Sequence, residues 1–232
     1  RRDGPHIGFT YLKSTDDLAS IRYGAIPQEN LVLASDIAFT IDRRNIEFTG
    51  QAAVSATNRD ITKGTFSDAE IDATFSEYSD GSRRNIRQIR DILSKFITVN
   101  ENLVPLNARN LPTLSYEANL FVNYFDNNLK LSVLRHGESF ESFGQPYLRQ
   151  DVAGLSISDR LRLEGNQVVL SGGFERLNDN TAETKASTTT GTTVNLGVSY
   201  YPLTEAPSVT VAYLHASNAN GRPLADSLYA VD

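Results

Sequence analysis

Apolar and polar residues alternate along most of this chain, in segments separated by turn-like stretches. The alternation is clearest in residues 31–41 and 46–57, which are joined by the short stretch 42–45. Because successive side chains of a β-strand point to opposite faces, each segment predicts a strand with one apolar face and one polar face. Both segments are about as long as a strand that crosses a lipid bilayer, roughly 9–11 residues. The pair is therefore typical of a hairpin in the wall of an outer-membrane barrel.

The same alternation predicts strands along most of the remaining chain. These strands are 7–13, 18–23, 114–125, 129–136, 153–163, 167–177, 192–201 and 209–216, with another starting at 228–231. The connections between them are alternately short and long. In an up-and-down sheet this puts all short turns at one rim, as in outer-membrane barrels. We therefore predict an all-β fold, namely an antiparallel up-and-down transmembrane β-barrel or a section of one with about ten strands.

One charged residue interrupts the apolar pattern. Asp159 falls at an apolar position of segment 153–163, where a charge facing lipid would cost a few kcal/mol. A turn at 158–160 is the alternative and would remove this cost. The sequence leaves both registers open.

The longest connection, 58–113, predicts a loop insertion with one helix near 82–97. Apolar residues recur there at helical spacing, from Ile86 to Phe96. A stripe of arginines shares one side of this helix: Arg83, Arg87 and Arg90. These side chains could contact anionic lipopolysaccharide, a partner protein or the barrel interior. The alternative is a solvated face of a loop helix.

Composition narrows the possible classes of protein. The mean hydropathy of -0.32 is compatible with a membrane barrel, since only every second strand residue faces lipid. No apolar run reaches the roughly 18 residues of a transmembrane helix, and the net charge of -6 argues against a nucleic-acid partner. The chain has neither Cys nor Met and opens on Arg1, so we expect a processed product or a piece of a longer protein. Residues 1–232 are then a single β-barrel domain or a fragment of one.

One stretch looks catalytic. Arg135-His136-Gly137-Glu138 resembles the signature of histidine phosphatases, in which an imidazole attacks phosphate and the adjacent guanidinium binds its oxygens. That family has its signature at the start of an α/β domain and needs a second histidine downstream. Here the signature follows more than half of the chain, and His215 is the only later histidine. We therefore predict no enzyme and no catalytic residue.

The chain has no pattern typical of a metal or cofactor site. His6 and His215 have no second histidine at ligand spacing. The alternating acids Asp68, Glu70 and Asp72 do not have the spacing of an EF-hand and are expected at a solvated loop edge. We predict neither a metal nor a cofactor.

Two stretches form a further recognisable pattern. One is the run Ser142-Phe143-Gly144-Gln145-Pro146-Tyr147-Leu148-Arg149-Gln150-Asp151 between two predicted strands. The other is Asp16-Asp17, followed by Ser20-Ile21-Arg22-Tyr23-Gly24 and Pro27-Gln28-Glu29-Asn30-Leu31-Val32-Leu33. Both resemble uncharacterised outer-membrane β-barrel proteins of the Bacteroidota and Chlorobiota. The resemblance implies a barrel in the bacterial outer membrane and brings no catalytic residues. The end of the chain, 228–232, lacks the terminal aromatic residue expected of such a barrel, which again indicates a fragment.

These features predict a channel, a transport protein or a component of a membrane complex. Its expected contacts are the lipid bilayer, lipopolysaccharide and other outer-membrane or surface proteins. Polar positions of the strands would line the interior: Glu47, Gln51, Glu117, Asn119, Asn123 and Asn195. One alternative is a soluble secreted β-sandwich that acts as a binding module, because such a fold shows the same alternation. The other is a histidine-phosphatase-like enzyme that uses Arg135 and His136.

Overall fold

The computed structural model describes residues 4–104 and 112–221 of the chain. Their strands form one antiparallel sheet in which nine strands follow each other in sequence order. The strands are β1 (His6–Thr15), β2 (Glu29–Ile41), β3 (Ile46–Asn58), β4 (Leu114–Tyr124), β5 (Asn127–His136), β6 (Val152–Leu163), β7 (Val168–Asn178), β8 (Thr189–Tyr200) and β9 (Val209–Asn220). The predicted all-β, antiparallel, up-and-down architecture is confirmed. Within the described residues β1 and β9 do not pair, so the sheet is open.

The two faces of the sheet differ in chemistry across its width. One row of facing residues defines the apolar face: Phe39, Phe48, Leu120, Leu131, Ile157, Phe174 and Val194. The neighbouring row defines the polar face: Ala38, Thr49, Asn119, Ser132, Ser156, Glu175 and Thr193. Because the register has this period of two on every strand, the alternation in the sequence becomes a separation of whole faces.

The two rims of the sheet also differ. The short rim carries the connections 42–45, 125–126, 164–167 and 201–208, and the long rim carries 16–28, 59–113, 137–151 and 179–188. The tight turns of the short rim use left-handed backbone, for example at Asp42 and Asp126, which aspartate tolerates better than most residues. The predicted asymmetry between the rims is therefore present in the fold.

The predicted strand 18–23 is wrong. Leu18–Tyr23 is a 3₁₀ helix whose start is capped by Asp17, which accepts a hydrogen bond from Ala19 N. Gly24 ends the helix in the left-handed conformation, with φ at 80°. β1 consequently pairs with β2 across the long connection 16–28, which reduces the strand count. The predicted strand start at 228–231 lies outside the described residues.

The register of segment 153–163 is also settled. β6 continues through 158–160 as a strand, so the alternative turn there is wrong. Asp159 stands on the apolar face, opposite Leu129 and Gly172. The hairpin turns instead at the 3₁₀ helix Glu164–Asn166.

The insertion between β3 and β4 contains two helices, α1 (Asp68–Thr74) and α2 (Asp80–Leu93). Only α2 was expected, and it ends at Leu93 rather than at 97. Ser67 caps α1 in a reciprocal capping box with Glu70, and Ser79 caps α2. No helix in the described ranges is long and apolar enough to cross a membrane.

Candidate functional site on the polar face

The ends of β2 and β3 at the long rim are covered on both faces. On the apolar face, Ile97 of the insertion packs on Leu31 and Ala56, which face each other across the two strands. On the polar face lies the β5–β6 loop, residues 137–151, with Phe140 buried. The best-buried part of the described chain is therefore this rim. Toward the short rim, both faces of the sheet are uncovered.

The β5–β6 loop is fixed to the polar face by buried polar side chains. Asn30, which has no exposed surface, donates from Nδ2 to the Glu141 carbonyl at 2.9 Å and accepts from Phe143 N at 3.3 Å. The same amide donates to Thr57 Oγ1 at 2.9 Å. Ser55 Oγ accepts from Glu141 N at 3.0 Å. A loop that starts on β5 is thus held across the sheet on β2 and β3.

The insertion is attached to the opposite face by a similar set of bonds. Asn58 Nδ2 donates to the Thr98 carbonyl and to Asn100 Oδ1, both at 2.8 Å. Glu29 accepts from Thr98 N at 2.6 Å and forms an ion pair with Lys13 at 2.8 Å. Because these groups are buried or half-buried, they fix the position of the insertion on the rim.

A cavity of about 370 Å³ lies between the loop and the polar face. Its polar lining includes Gln51, Ser115, Glu117, His136, Ser142 and Gln145. Glu117 is held by amide donors: Gln51 Nε2 at 3.3 Å and Asn119 Nδ2 at 3.0 Å. In the part of the chain that the structure describes, no lysine or arginine pairs with this carboxylate. The cavity can therefore offer hydrogen bonds and a negative charge to a small polar molecule.

Some of this site follows from the sequence and some does not. Gln51, Glu117 and Asn119 were predicted to share a face, and their side chains form one hydrogen-bonded chain that continues to Ser132. The role of Asn30 and Ser55 was missed. The only available signal was that polar residues occupy the strand positions directly before and after the apolar stretches of β2 and β3.

A second cluster joins the β5–β6 loop to the β7–β8 loop. Asp151 accepts from Thr181 N at 2.7 Å and from Thr181 Oγ1 at 3.0 Å, and it lies 2.5 Å from Lys185 Nζ. Lys185 also pairs with Asp179 at 3.1 Å. Burial raises the pKa of Asp151, but the hydrogen bonds from Lys185 and Thr181 outweigh burial and lower this pKa to about 2.

We predict that Asp151→Asn weakens the docking of the two loops by about 2 kcal/mol at neutral pH, from the pKa change at about 1.4 kcal/mol per unit. The folded-state pKa is depressed, so this contribution is complete above the unfolded-state pKa of 3.8 and is lost as pH falls through about 2. Amide hydrogen exchange in 137–151 measures the effect. Exchange should be faster in the variant at pH 7, and a variant that exchanges like wild type would contradict the prediction.

The three arginines predicted as a contact site lie against α1. Arg83 and Arg87 pair with Asp72, and Arg90 pairs with Asp68 at 2.7 Å. Arg90 also donates to the Phe66 carbonyl at 2.7 Å. The stripe therefore holds the two helices together, and its contact with an external anion stays a prediction.

The acids considered for calcium are used in the same helix pair. Asp68 and Asp72 bind the arginines of α2, and Glu70 bonds to Ser67. Across residues 4–104 and 112–221, no group of three or more His, Asp or Glu side chains is placed to hold a metal ion.

The phosphatase-like pair is split between the two faces of the sheet. Arg135 lies in register with Tyr116 on the apolar face, and its guanidinium donates to the Thr181 carbonyl at 3.1 Å. His136 lies on the polar face with Nδ1 at 2.8 Å from the Arg149 carbonyl. His215 stands on the apolar face of β9, opposite Val194. The strand thus does not bring Arg135 and His136 to a common phosphate.

Comparison with known proteins gives no relative. No protein-family model matches this chain, and neither a curated protein nor a solved structure is significantly similar to it.

Proposed function

We propose that this chain forms the wall of a β-barrel in the outer membrane of a Gram-negative bacterium. Its apolar face contacts lipid, and its polar face lines the interior of a channel, a transport protein or a membrane complex. The observation that carries this proposal is a belt of exposed apolar side chains along one face of the sheet; on the polar face, Leu12 and Leu214 are exposed as well.

The belt covers the apolar face from β1 to β9. Its members include Ile7, Phe9, Leu33, Ile37, Val133, Ile157, Leu196, Val198, Val211 and Tyr213. Phe9 is 85% exposed and Val211 is 67% exposed, although both lie within regular strands. Monomeric soluble proteins rarely expose continuous apolar surface patches larger than a few hundred Å². A belt of this extent therefore favours a lipid environment.

The rival β-sandwich needs a second sheet on the apolar face. All nine strands of the described residues belong to one sheet, and the segments that lie on this face do so at the long rim: the insertion on β2 and β3, and the β7–β8 loop at Arg135. Lipid is the remaining partner that would cover every strand at the same depth.

Crowding on the polar face supports a sheet that curves toward that face. A Cβ added to Gly8 would come within 2.3 Å of Asp36, and one added to Gly173 would come equally close to Asn195. On the apolar face, an added Cβ would meet its nearest neighbour at 3.2 Å at Gly50 and at 3.7 Å at Gly172. Curvature toward the polar face is the direction in which such a sheet would close around a polar interior.

The β5–β6 loop would then lie inside the barrel near its outer rim. It is held there by Asn30 and Ser55, and the cavity beside Glu117 forms the space between loop and wall. This arrangement narrows the interior and favours the passage or binding of small polar molecules over free diffusion through a wide pore.

Fractionation tests the proposal. When the full chain is directed to the periplasm of a Gram-negative host, it should sediment with the outer membrane and need detergent for extraction. A folded, compact monomer in buffer without detergent would overturn the proposal and favour the soluble binding module.

A further inference from the structure

The helix α2 has an exposed apolar stripe that nothing in the described chain covers. Ile89 is 57% exposed, Ile92 is 59% exposed, and Phe96, just beyond the helix, is 44% exposed. Residues spaced by three or four positions lie on one side of a helix. These side chains therefore form a continuous surface, defined here as the apolar stripe.

The charged side of the same helix is already occupied. Arg83, Arg87 and Arg90 pair with acids of α1 or α2, so α2 is held on α1 through its basic side. Removing the apolar stripe from water would require no separation of these ion pairs. An external contact is thus open to the stripe rather than to the arginines.

The insertion is attached at the long-rim edge of the apolar belt. Ile97 packs on Leu31 and Ala56 on the apolar face of β2 and β3. The next pair on the same face, Leu33 and Val54, belongs to the belt, and Leu33 is 46% exposed. α2 ends at Leu93, one helical turn before Ile97. The C-terminal end of α2 is therefore close to the long-rim edge of the apolar belt.

We propose that α2 lies on the membrane surface, with its apolar stripe in the boundary between headgroups and acyl chains of the outer leaflet. The proposal rests on the membrane location given above. The observation that supports it is that the apolar stripe continues from Phe96 to Ile97, and Ile97 packs on the same face of the sheet as the belt. Amphipathic helices of this kind bury their apolar side by about 5–10 Å at such a boundary.

The test uses the absence of tryptophan from the chain. Ile89→Trp, Arg84→Trp and Leu196→Trp each introduce a single tryptophan into this chain of 232 residues, which is placed in phosphatidylcholine vesicles. Arg84 is exposed on another side of α2 and serves as the matched control, and Leu196 reports on the belt. Bromine is placed on the lipid chains either near the headgroup or near the chain end.

We expect the Ile89→Trp fluorescence to fall at least twofold with bromine near the headgroup and less with bromine near the chain end, while Arg84→Trp is unaffected. If Leu196→Trp is quenched and Ile89→Trp is not, α2 does not touch the membrane and the stripe belongs to a protein partner. If neither tryptophan is quenched, the membrane location itself is wrong.

Discussion

Replacing Ile157 by arginine lowers the free energy of unfolding in lipid vesicles by about 2–4 kcal/mol, which is the cost of a cation on the lipid face near the middle of a barrel strand. Ile157 stands between Leu131 and Phe174 in the belt, with Leu155 before it and Asp159 after it on the same face of β6. Because Asp159 can pair with the new cation, we expect the lower end of this range. The measurement is a urea titration of the vesicle-bound protein followed by circular dichroism.

Ser156→Arg is the matched control for this prediction. Ser156 is the preceding residue on the same strand, but it faces the polar side, where Glu175 stands opposite and can pair with the new charge. We expect a change below about 1 kcal/mol there. Ile157 is 41% exposed, so in a protein surrounded by water its replacement would be a surface change of about 0.5 kcal/mol. Equal effects of both substitutions would contradict a lipid-facing belt.

Replacing Asn30 by leucine has a comparable effect for a different reason. The substitution leaves the Glu141 carbonyl, Phe143 N and Thr57 Oγ1 without their partner in a fully buried place. Orphaned buried groups cost about 1–3 kcal/mol each and are not additive, so we expect a loss of about 2–4 kcal/mol. The same urea titration measures it, and protease cleavage within 137–151 reports whether the loop has left the polar face.

Asn195→Ala controls for loss of an asparagine from the polar face, because Asn195 is exposed on β8. Its effect should stay within about 0.5 kcal/mol. If Asn30→Leu changes neither the stability nor the cleavage of the loop, this side chain does not hold the loop. The proposal that the β5–β6 loop narrows the barrel interior would then lose its support.

The strands of the sheet could be predicted from the sequence because the alternation of apolar and polar residues is a local signal. Every strand from β1 to β9 was found near its predicted place, since neighbouring residues alone decide which face a side chain takes. The strand at 18–23 failed for the same reason: its apolar residues fit either period over so short a segment, and the cap by Asp17 decided for a 3₁₀ helix.

The candidate site could be predicted only where it follows strand register. Gln51, Glu117 and Asn119 share a face by parity, and the structure joins them. Asn30 forms hydrogen bonds with residues of the β5–β6 loop that lie more than a hundred positions away in the sequence, so no local pattern indicates these bonds. Likewise, nothing in the spacing of Arg83, Arg87 and Arg90 shows that α1 supplies their partners, because α1 itself was not expected.

A cysteine scan of β8 tests the lipid-facing belt most directly. The chain has no cysteine, so single cysteines at Thr193, Val194, Asn195, Leu196, Val198 and Ser199 can each carry an environment-sensitive fluorophore in vesicles that contain nitroxide lipid. A lipid-facing belt predicts quenching at Val194, Leu196 and Val198 and none at the other positions, since the two sets lie on opposite faces. Quenching without this period of two, or at none of the positions, would contradict it.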